Sequence, residues 1–291
     1  MRHPKELSRL DGKTVIVTGA SDGIGVETAR FLADLGATLV LPARNIAKAE
    51  AVKADLTKTT GNARIEVMPL DLASLASIRA FTAAFSAKYP KLDVLVDNAG
   101  VISPKRVLTV DGFETTFGVN HFGTFALTLG LLGPLRAAAP SRVVVVSSAL
   151  HTRGRIDFDD LTYAKGYTGG MAMRGPYPDS KLANVLFAYE LAERLAGSGV
   201  TVNALHPGVV STNLGRDSGA FFRWMARTFF MTPEKGARTS VYLAASPEVA
   251  GVTGKYFDRC AEKASSPSSH DAALRKRLWE VSEKATGTTF A

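Results

Sequence analysis

The sequence predicts an α/β chain on a doubly wound parallel sheet of about seven strands, and three observations carry that prediction. Short apolar runs alternate with longer amphipathic segments along the whole chain. Several runs, such as Val143-Val144-Val145-Val146, are continuously apolar, as expected of strands covered by helices on both faces. The first run passes through a glycine-rich turn directly into a helical pattern.

Taken in order, strands are expected over residues 14–18, 38–43, 64–70, 94–97, 142–147, 201–205 and 255–257. Helices are expected over 24–35, closed by Gly36 as a left-handed cap, and over 74–88, opened by Ser74 and stopped before Pro90. Further helices cover 112–132, 178–196 and 271–284, and Thr232-Pro233-Glu234 opens another with threonine at the cap and proline in the first turn. This alternation describes a Rossmann-like sheet whose ligand crevice lies beyond the C-terminal strand ends, where strand order reverses.

The 291 residues are 46% hydrophobic, enough for one large core, and no linker composition divides 1–291 into separate domains. A net charge of +8 with pI near 9.6 is spread among acids, so it reads as a solubilising surface or a bias towards anionic ligands. No stripe of basic and aromatic residues indicates nucleic acid. A single cysteine, Cys260, excludes an intrachain disulfide framework and suits a reducing, cytoplasmic setting. Cys260 and five dispersed histidines form no metal-ligand pattern, so no metal is expected. Residues 1–10 lack the apolar core of a signal peptide, and no run is long enough to span a bilayer.

The candidate phosphate cradle is Thr18-Gly19-Ala20-Ser21-Asp22-Gly23-Ile24-Gly25. Gly19 can turn tightly, Gly23 admits backbone close to a diphosphate, and Gly25 lets helix and strand approach. The helix N-terminus then offers unpaired N–H groups to the anion. Beyond the second strand, Ala43 stands where an acid would bind the ribose hydroxyls of NAD, and Arg44 follows. An arginine there can fork onto a 2′-phosphate, so NADP(H) is expected over NAD(H).

Tyr177 and Lys181 lie four apart in a helical pattern and share a face. A cation roughly 4–5 Å from a phenolate, at an effective dielectric of about 20, stabilises it by about 3–4 kcal/mol. That lowers the phenol's pKa by about 2–3, towards the range useful for proton transfer at neutral pH. Ser147 and Ser148 end a central strand, and alternation lets only one of them point into the crevice.

The spacing Thr-Gly-x-x-x-Gly-x-Gly, with Asn98-Ala99-Gly100, Asn120, Ser148, Tyr177-x-x-x-Lys181 and Pro207-Gly208, resembles the short-chain dehydrogenase/reductase family from about residue 11 to the 250s. The resemblance selects Ser148 as the substrate-oxygen ligand and Tyr177 as general acid/base. It gives Lys181 the nicotinamide ribose, and Asn120 a water that relays protons past the lysine. It places Asp71 beside adenine, Asn98 beside the adenosine ribose and Thr212 at the carboxamide, and makes Leu72, Ala99, Gly100, Pro207 and Gly208 cofactor-binding residues as well.

Phrases such as Lys181-Leu182-Ala183-Asn184 and Asn203-Ala204-Leu205-His206-Pro207-Gly208 resemble the retinol-dehydrogenase-like branch. Members often carry an anchor before the glycine motif, for which the short N-terminal segment leaves no room. The resemblance implies hydride transfer between a nicotinamide and a carbonyl or alcohol. The alternatives are a non-catalytic NADP sensor or scaffold and a reductase of activated C=C bonds.

Two departures stand out. Asp97 replaces the usual first asparagine before Asn98-Ala99-Gly100, a position read as structural. The interval from Ser148 to Tyr177 is longer than in simple members and could cover the helix carrying Tyr177, favouring a monomer or weak homodimer. Finally, 213–232 is rich in aromatic residues and methionine (Phe221, Phe222, Trp224, Met225, Phe229, Phe230, Met231). It reads as core packing, as an apolar lid suited to a lipophilic substrate, or, with Arg223 and Arg227, as a membrane contact.

Overall fold

The computed structural model describes residues 6–170, 172–208 and 231–290. Its centre is one eight-stranded sheet in the order β3-β2-β1-β4-β5-β6-β7-β8. The strands are β1 (Thr14–Val17), β2 (Thr38–Ala43), β3 (Ile65–Pro69), β4 (Val94–Asp97), β5 (Ser141–Val146), β6 (Val200–His206), β7 (Lys255–Asp258) and β8 (Ala261–Glu262). Strands β1 to β7 pair in parallel, and only β8 runs antiparallel, against β7.

The eighth strand exceeds the expected seven. It exists because Arg259 and Cys260 both adopt positive φ, 52° and 59°, and reverse the chain within two residues. Neither residue type announces such a turn.

Alternation along the strands divides two cores. Ile16, Leu95, Val143, Val145 and Val202 face one layer. Val15, Val17, Val94, Val96, Val144 and Val146 face the other. The first layer is covered by α3 (Leu75–Lys88), α5 (Thr124–Gly130), α7 (Pro176–Arg194) and α9 (Ala272–Thr286). The second is covered by α1 (Gly23–Asp34), α2 (Ile46–Thr60) and α8 (Pro233–Ala245). Strand order reverses about β1, so the C-terminal ends of β1, β4, β5 and β6 border one crevice.

Three elements differ from the sequence reading. Helix α2 carries no sequence expectation because it buries only Ala49 and Leu56; Asn45 caps it by accepting from the Lys48 amide at 3.0 Å. The helix expected over 112–132 is broken into α4 (Thr115–Phe117), a π-helical turn (Gly118–Gly123) and α5, followed by α6 (Leu132–Ala137). Helix α7 starts two residues earlier than expected, with Pro176 in its first turn after Gly175 at φ 110°.

The long interval before α7 packs onto that helix. The Tyr163 hydroxyl donates to Asp179 Oδ2 at 2.9 Å, and the Arg155 amide donates to Oδ1 at 2.7 Å. Gly154 lies so close to Pro178 and Leu182 that a Cβ would sit 2.6 Å from each. Every residue from Pro176 to Ala192 is buried. Among the described residues no helix is long and apolar enough to cross a membrane.

Candidate active site

The crevice begins at the turn leaving β1. Gly19 takes φ +67° and Gly23 φ +50°, a region that side chains resist. A Cβ on Gly19 would come 2.8 Å from Ala99 Cα, and one on Gly25 would strike the Gly19 carbonyl and sit 2.6 Å from Asn98 Nδ2. Thr18 locks this turn to the end of β4: its Oγ1 accepts from the Asn98 and Ala99 amides at 2.9 Å each, and Asn98 Nδ2 donates to the Thr18 carbonyl at 2.8 Å. The clamp by Thr18 carried no signal in the sequence reading beyond the threonine's place before Gly19.

Helix α1 opens towards the crevice without a side-chain cap and without an acid in its first turn. Asp22, at its N-cap, instead forms an ion pair with Lys48 at 2.7 Å. Ser21 and Ile24 are half-buried beside it. Uncapped helical N–H groups above a glycine turn suit an anionic ligand such as a dinucleotide diphosphate. Arg44 follows β2 on the surface, where no ion pair or side-chain hydrogen bond occupies it among the described residues. Lys48, missed from sequence, brings a second cation to the same edge, one helical turn beyond Arg44.

Asp71 and Leu72 are half-buried in the loop after β3. Asp71 Oδ1 accepts from the Ala73 amide at 2.9 Å, and a Cβ on Gly123 of the π-helical turn would collide with the Leu72 carbonyl. That turn therefore rests on the Leu72 loop. It also buries Asn120, whose Oδ1 accepts from the Val101 amide at 2.7 Å. Asn120 Nδ2 donates to the Val101 carbonyl at 3.1 Å and to Ser180 Oγ at 3.0 Å. Gly100 separates Asn120 from Lys181, since a Cβ there would lie 3.4 Å from Asn120 Oδ1 and 3.5 Å from Lys181 Nζ.

Helix α7 and the end of β5 supply the remaining groups. Lys181 is 4% exposed, and its Nζ donates to the Val146 carbonyl at 3.1 Å. Burial pushes its pKa down to about 8. Tyr177 is buried, with the Ser148 hydroxyl beside its phenol, and Ser148 Oγ accepts from the Leu150 amide at 3.2 Å. Its rival Ser147 points elsewhere, donating to the Lys181 carbonyl at 2.6 Å. Lys181 Nζ stands 5.7 Å from the centre of the Tyr177 ring.

One expectation is corrected here. The sequence reading has the ammonium acidify the phenol, but burial raises the Tyr177 pKa, outweighing the lowering by the Ser148 hydroxyl. The cause is that the phenol and the ammonium are buried together, so both charged forms lose hydration.

Pro207 and Gly208 follow β6; Gly208 has φ +92°, and a Cβ there would collide with Met231 Cε. Met231 and Thr232 are the only described members of 213–232; Thr212 and the aromatic residues 221–230 lie outside the described residues. Thus contacts join Gly19 and Gly25 to Asn98 and Ala99, Gly100 to Asn120 and Lys181, and Lys181 to Tyr177 and the end of β5, while Arg44 follows the end of β2.

The comparisons with known proteins agree with this architecture. Residues 13–221 match the family model described as short chain dehydrogenase. Human retinol dehydrogenase 14 is 45% identical over 99% of this chain and 90% of its own length. Human retinol dehydrogenase 13 is 46% identical over 96% of this chain and 86% of its own length. A crystal structure of a putative uncharacterized protein from Mycobacterium paratuberculosis superposes with a TM-score of 0.80 at 35% identity, covering 100% of this chain and 99% of that one. The Pseudomonas aeruginosa RhlG/NADP active-site complex superposes at 0.69 with 26% identity, over 88% of this chain and 97% of that one.

Proposed function

From the premise that this chain belongs to the short-chain dehydrogenase family, in its retinol-dehydrogenase-like branch, and is an NAD(P)-dependent oxidoreductase of alcohol and carbonyl groups, we propose that it works with NADP(H) on a lipophilic substrate and that Tyr177 is its general acid/base. The observation that carries this reading is the buried Tyr177 phenol with the Ser148 hydroxyl beside it and the buried ammonium of Lys181 5.7 Å from its ring.

A nicotinamide held there would supply or accept the hydride. The Gly19–Gly25 turn and the α1 N-terminus would hold the diphosphate, with Ser21, Asp22, Gly23 and Ile24 lining it. Asp71, Leu72, Asn98, Ala99 and Gly100 would border the adenosine half, and Pro207, Gly208 and Thr212 the nicotinamide half. Lys181 would hold the nicotinamide ribose through its ammonium. Arg44 and Lys48 offer positive charge where a 2′-phosphate would need it, which favours NADP(H) over NAD(H). The NADP complex of RhlG supports a phosphorylated nicotinamide cofactor within this fold.

In the reducing direction, Tyr177 donates its phenolic proton to the substrate oxygen, and Ser148 donates a hydrogen bond to that oxygen as negative charge builds there. Lys181 stabilises the resulting phenolate electrostatically. Asn120, held by Val101 and Ser180, orients the water that returns a proton past Lys181. Oxidation reverses each transfer. The names of the curated relatives and the apolar composition of 213–232 support a lipophilic aldehyde, ketone or alcohol. A panel of aliphatic, aromatic and polyene aldehydes with NADPH and NADH tests the reading: kcat/KM should rise with substrate apolarity and favour NADPH. A preference for small polar carbonyls, or for NADH, contradicts it.

A further inference from the structure

One peptide unit beside the site is gripped at both ends by imidazoles. The carbonyl of Ser148 lies 2.7 Å from His151 Nδ1, and the amide of Ala149, in the same peptide plane, lies 3.1 Å from His206 Nδ1. A carbonyl can only accept, so His151 Nδ1 carries a proton and donates. An amide can only donate, so His206 Nδ1 is bare and accepts, leaving the proton on Nε2.

The other face of His151 agrees with this assignment: the Ser266 amide donates to its Nε2 at 3.0 Å, which requires a bare nitrogen there. The two rings are therefore neutral and in opposite tautomers. His151 is 2% exposed, and the Tyr256 ring packs 4.8 Å from it. Burial lowers the pKa of both imidazoles, which keeps them neutral near pH 7.

We infer that His151 and His206 are positioning residues that clamp the Ser148–Ala149 peptide, fixing the backbone of Ser148 so that its hydroxyl stays directed at Tyr177. The inference rests on the proposed roles of Ser148 and Tyr177. Ser148 heads the 3₁₀ turn Ala149–Arg153 with extended backbone, φ −154° and ψ 159°. A rotation of the following peptide would disturb the backbone that carries the hydroxyl, and each imidazole opposes that rotation by holding one end of the peptide. Through Ser266 the clamp also reaches the segment after β8, so the chain's C-terminal part takes part in holding the serine.

Two pairs of variants separate positioning from folding. His151→Gln keeps an acceptor for Ser266 and loses the donor to Ser148; His151→Asn does the reverse. His206→Asn keeps an acceptor for Ala149, and His206→Phe removes it. With saturating NADPH and the best aldehyde of the panel, His151→Gln and His206→Phe should each lower kcat about 5-fold, the worth of one neutral hydrogen bond. His151→Asn and His206→Asn should stay within about 2-fold of the wild type. The Kd for NADPH should hold throughout, and His151→Asn should lose more thermal stability than His151→Gln.

Side-chain ¹⁵N spectra of the wild-type protein should show His151 protonated at Nδ1 and His206 at Nε2. Either opposite tautomer, or kcat losses that follow Tm rather than the peptide contact, overturns the clamp. Ser148→Ala is measured alongside. If it turns over at the wild-type rate, the proposed site itself fails; if it is impaired while His151→Gln is not, only the clamp fails.

Discussion

Ser147 Oγ donates to the Lys181 carbonyl at 2.6 Å, stitching the end of β5 to the first turns of α7. Lys181 returns the contact through Nζ to the Val146 carbonyl at 3.1 Å. The lysine is thus held at its backbone and at its tip by two consecutive residues, Val146 and Ser147. The next residue, Ser148, reaches Tyr177. Strand and helix thus fix each other through these two contacts.

Ser147→Ala removes a buried hydrogen bond, while the Lys181 carbonyl keeps its helical backbone partner. It should cost about 1–2 kcal/mol in urea unfolding. Its kcat should remain well above that of Ser148→Ala, because its hydroxyl points away from Tyr177. Equal losses of kcat would contradict the division of labour between the two serines.

Lys181→Met should trade activity for stability. The folded pKa of Lys181, about 8, lies below its ordinary 10.5. Burying the charged form therefore opposes folding fully below pH 8, and this opposition fades as pH rises towards 10.5. The variant should be inactive yet more stable than the wild type at pH 7, by on the order of 1–2 kcal/mol without cofactor. The gain should shrink by pH 10. A gain independent of pH would point to packing instead.

Asp97 is the family departure read as structural, and its surroundings say why. It is 3% exposed with Oδ1 unpartnered, and burial pushes its pKa up to about 7. Thr128 Oγ1 lies 2.8 Å from both Asp97 Oδ2 and the Thr124 carbonyl, but has one proton to give. A protonated Asp97 can donate to Thr128, which then donates to Thr124. Because the folded pKa is raised above 3.8, deprotonation opposes folding increasingly from pH 3.8 to 7 and fully above. Asp97→Asn should stabilise the protein at pH 8 by on the order of 2 kcal/mol, have no effect near pH 4, and leave kcat unchanged. Thermal melts at the two pH values check this.

Arg44→Ala should lower the NADPH-to-NADH ratio of kcat/KM at least tenfold, as expected for one charge-assisted phosphate contact of about 1.5–3 kcal/mol. Lys48→Ala should lower it less, since Lys48 is shared with Asp22. An unchanged ratio in both variants would remove the basis for NADP(H).

The long interval before α7 covers that helix through Tyr163 and Asp179. A monomer or weak dimer is expected by light scattering at micromolar concentration; a tetramer that persists on dilution would contradict it.

What the sequence made legible followed from chemistry that is local along the chain. Strands buried on both faces read as apolar runs, and the glycines marked a turn with positive φ at Gly19 and Gly23 and no space for a Cβ at Gly19 and Gly25. Tyr177 and Lys181 showed their shared face through helical spacing. The rest depends on contacts that no local pattern encodes. Helix α2 buries too few side chains for a periodicity, and the π-helical turn around Asn120 has no repeat of its own. The His151 and His206 contacts join residues 115 and 57 positions apart. The acidity of Tyr177 is not legible because spacing gives the distance to a cation but not the burial of both partners.

The central claim is that the Tyr177 hydroxyl moves the proton that accompanies hydride transfer. Tyr177→Phe deletes that oxygen from a buried ring and leaves the glycine turn, Arg44 and Lys181 in place. Measured with the best aldehyde and saturating NADPH, its kcat should fall by roughly 10²–10⁴-fold, while the NADPH Kd from fluorescence titration stays within about 3-fold. Turnover near the wild-type rate with cofactor still bound would contradict the account.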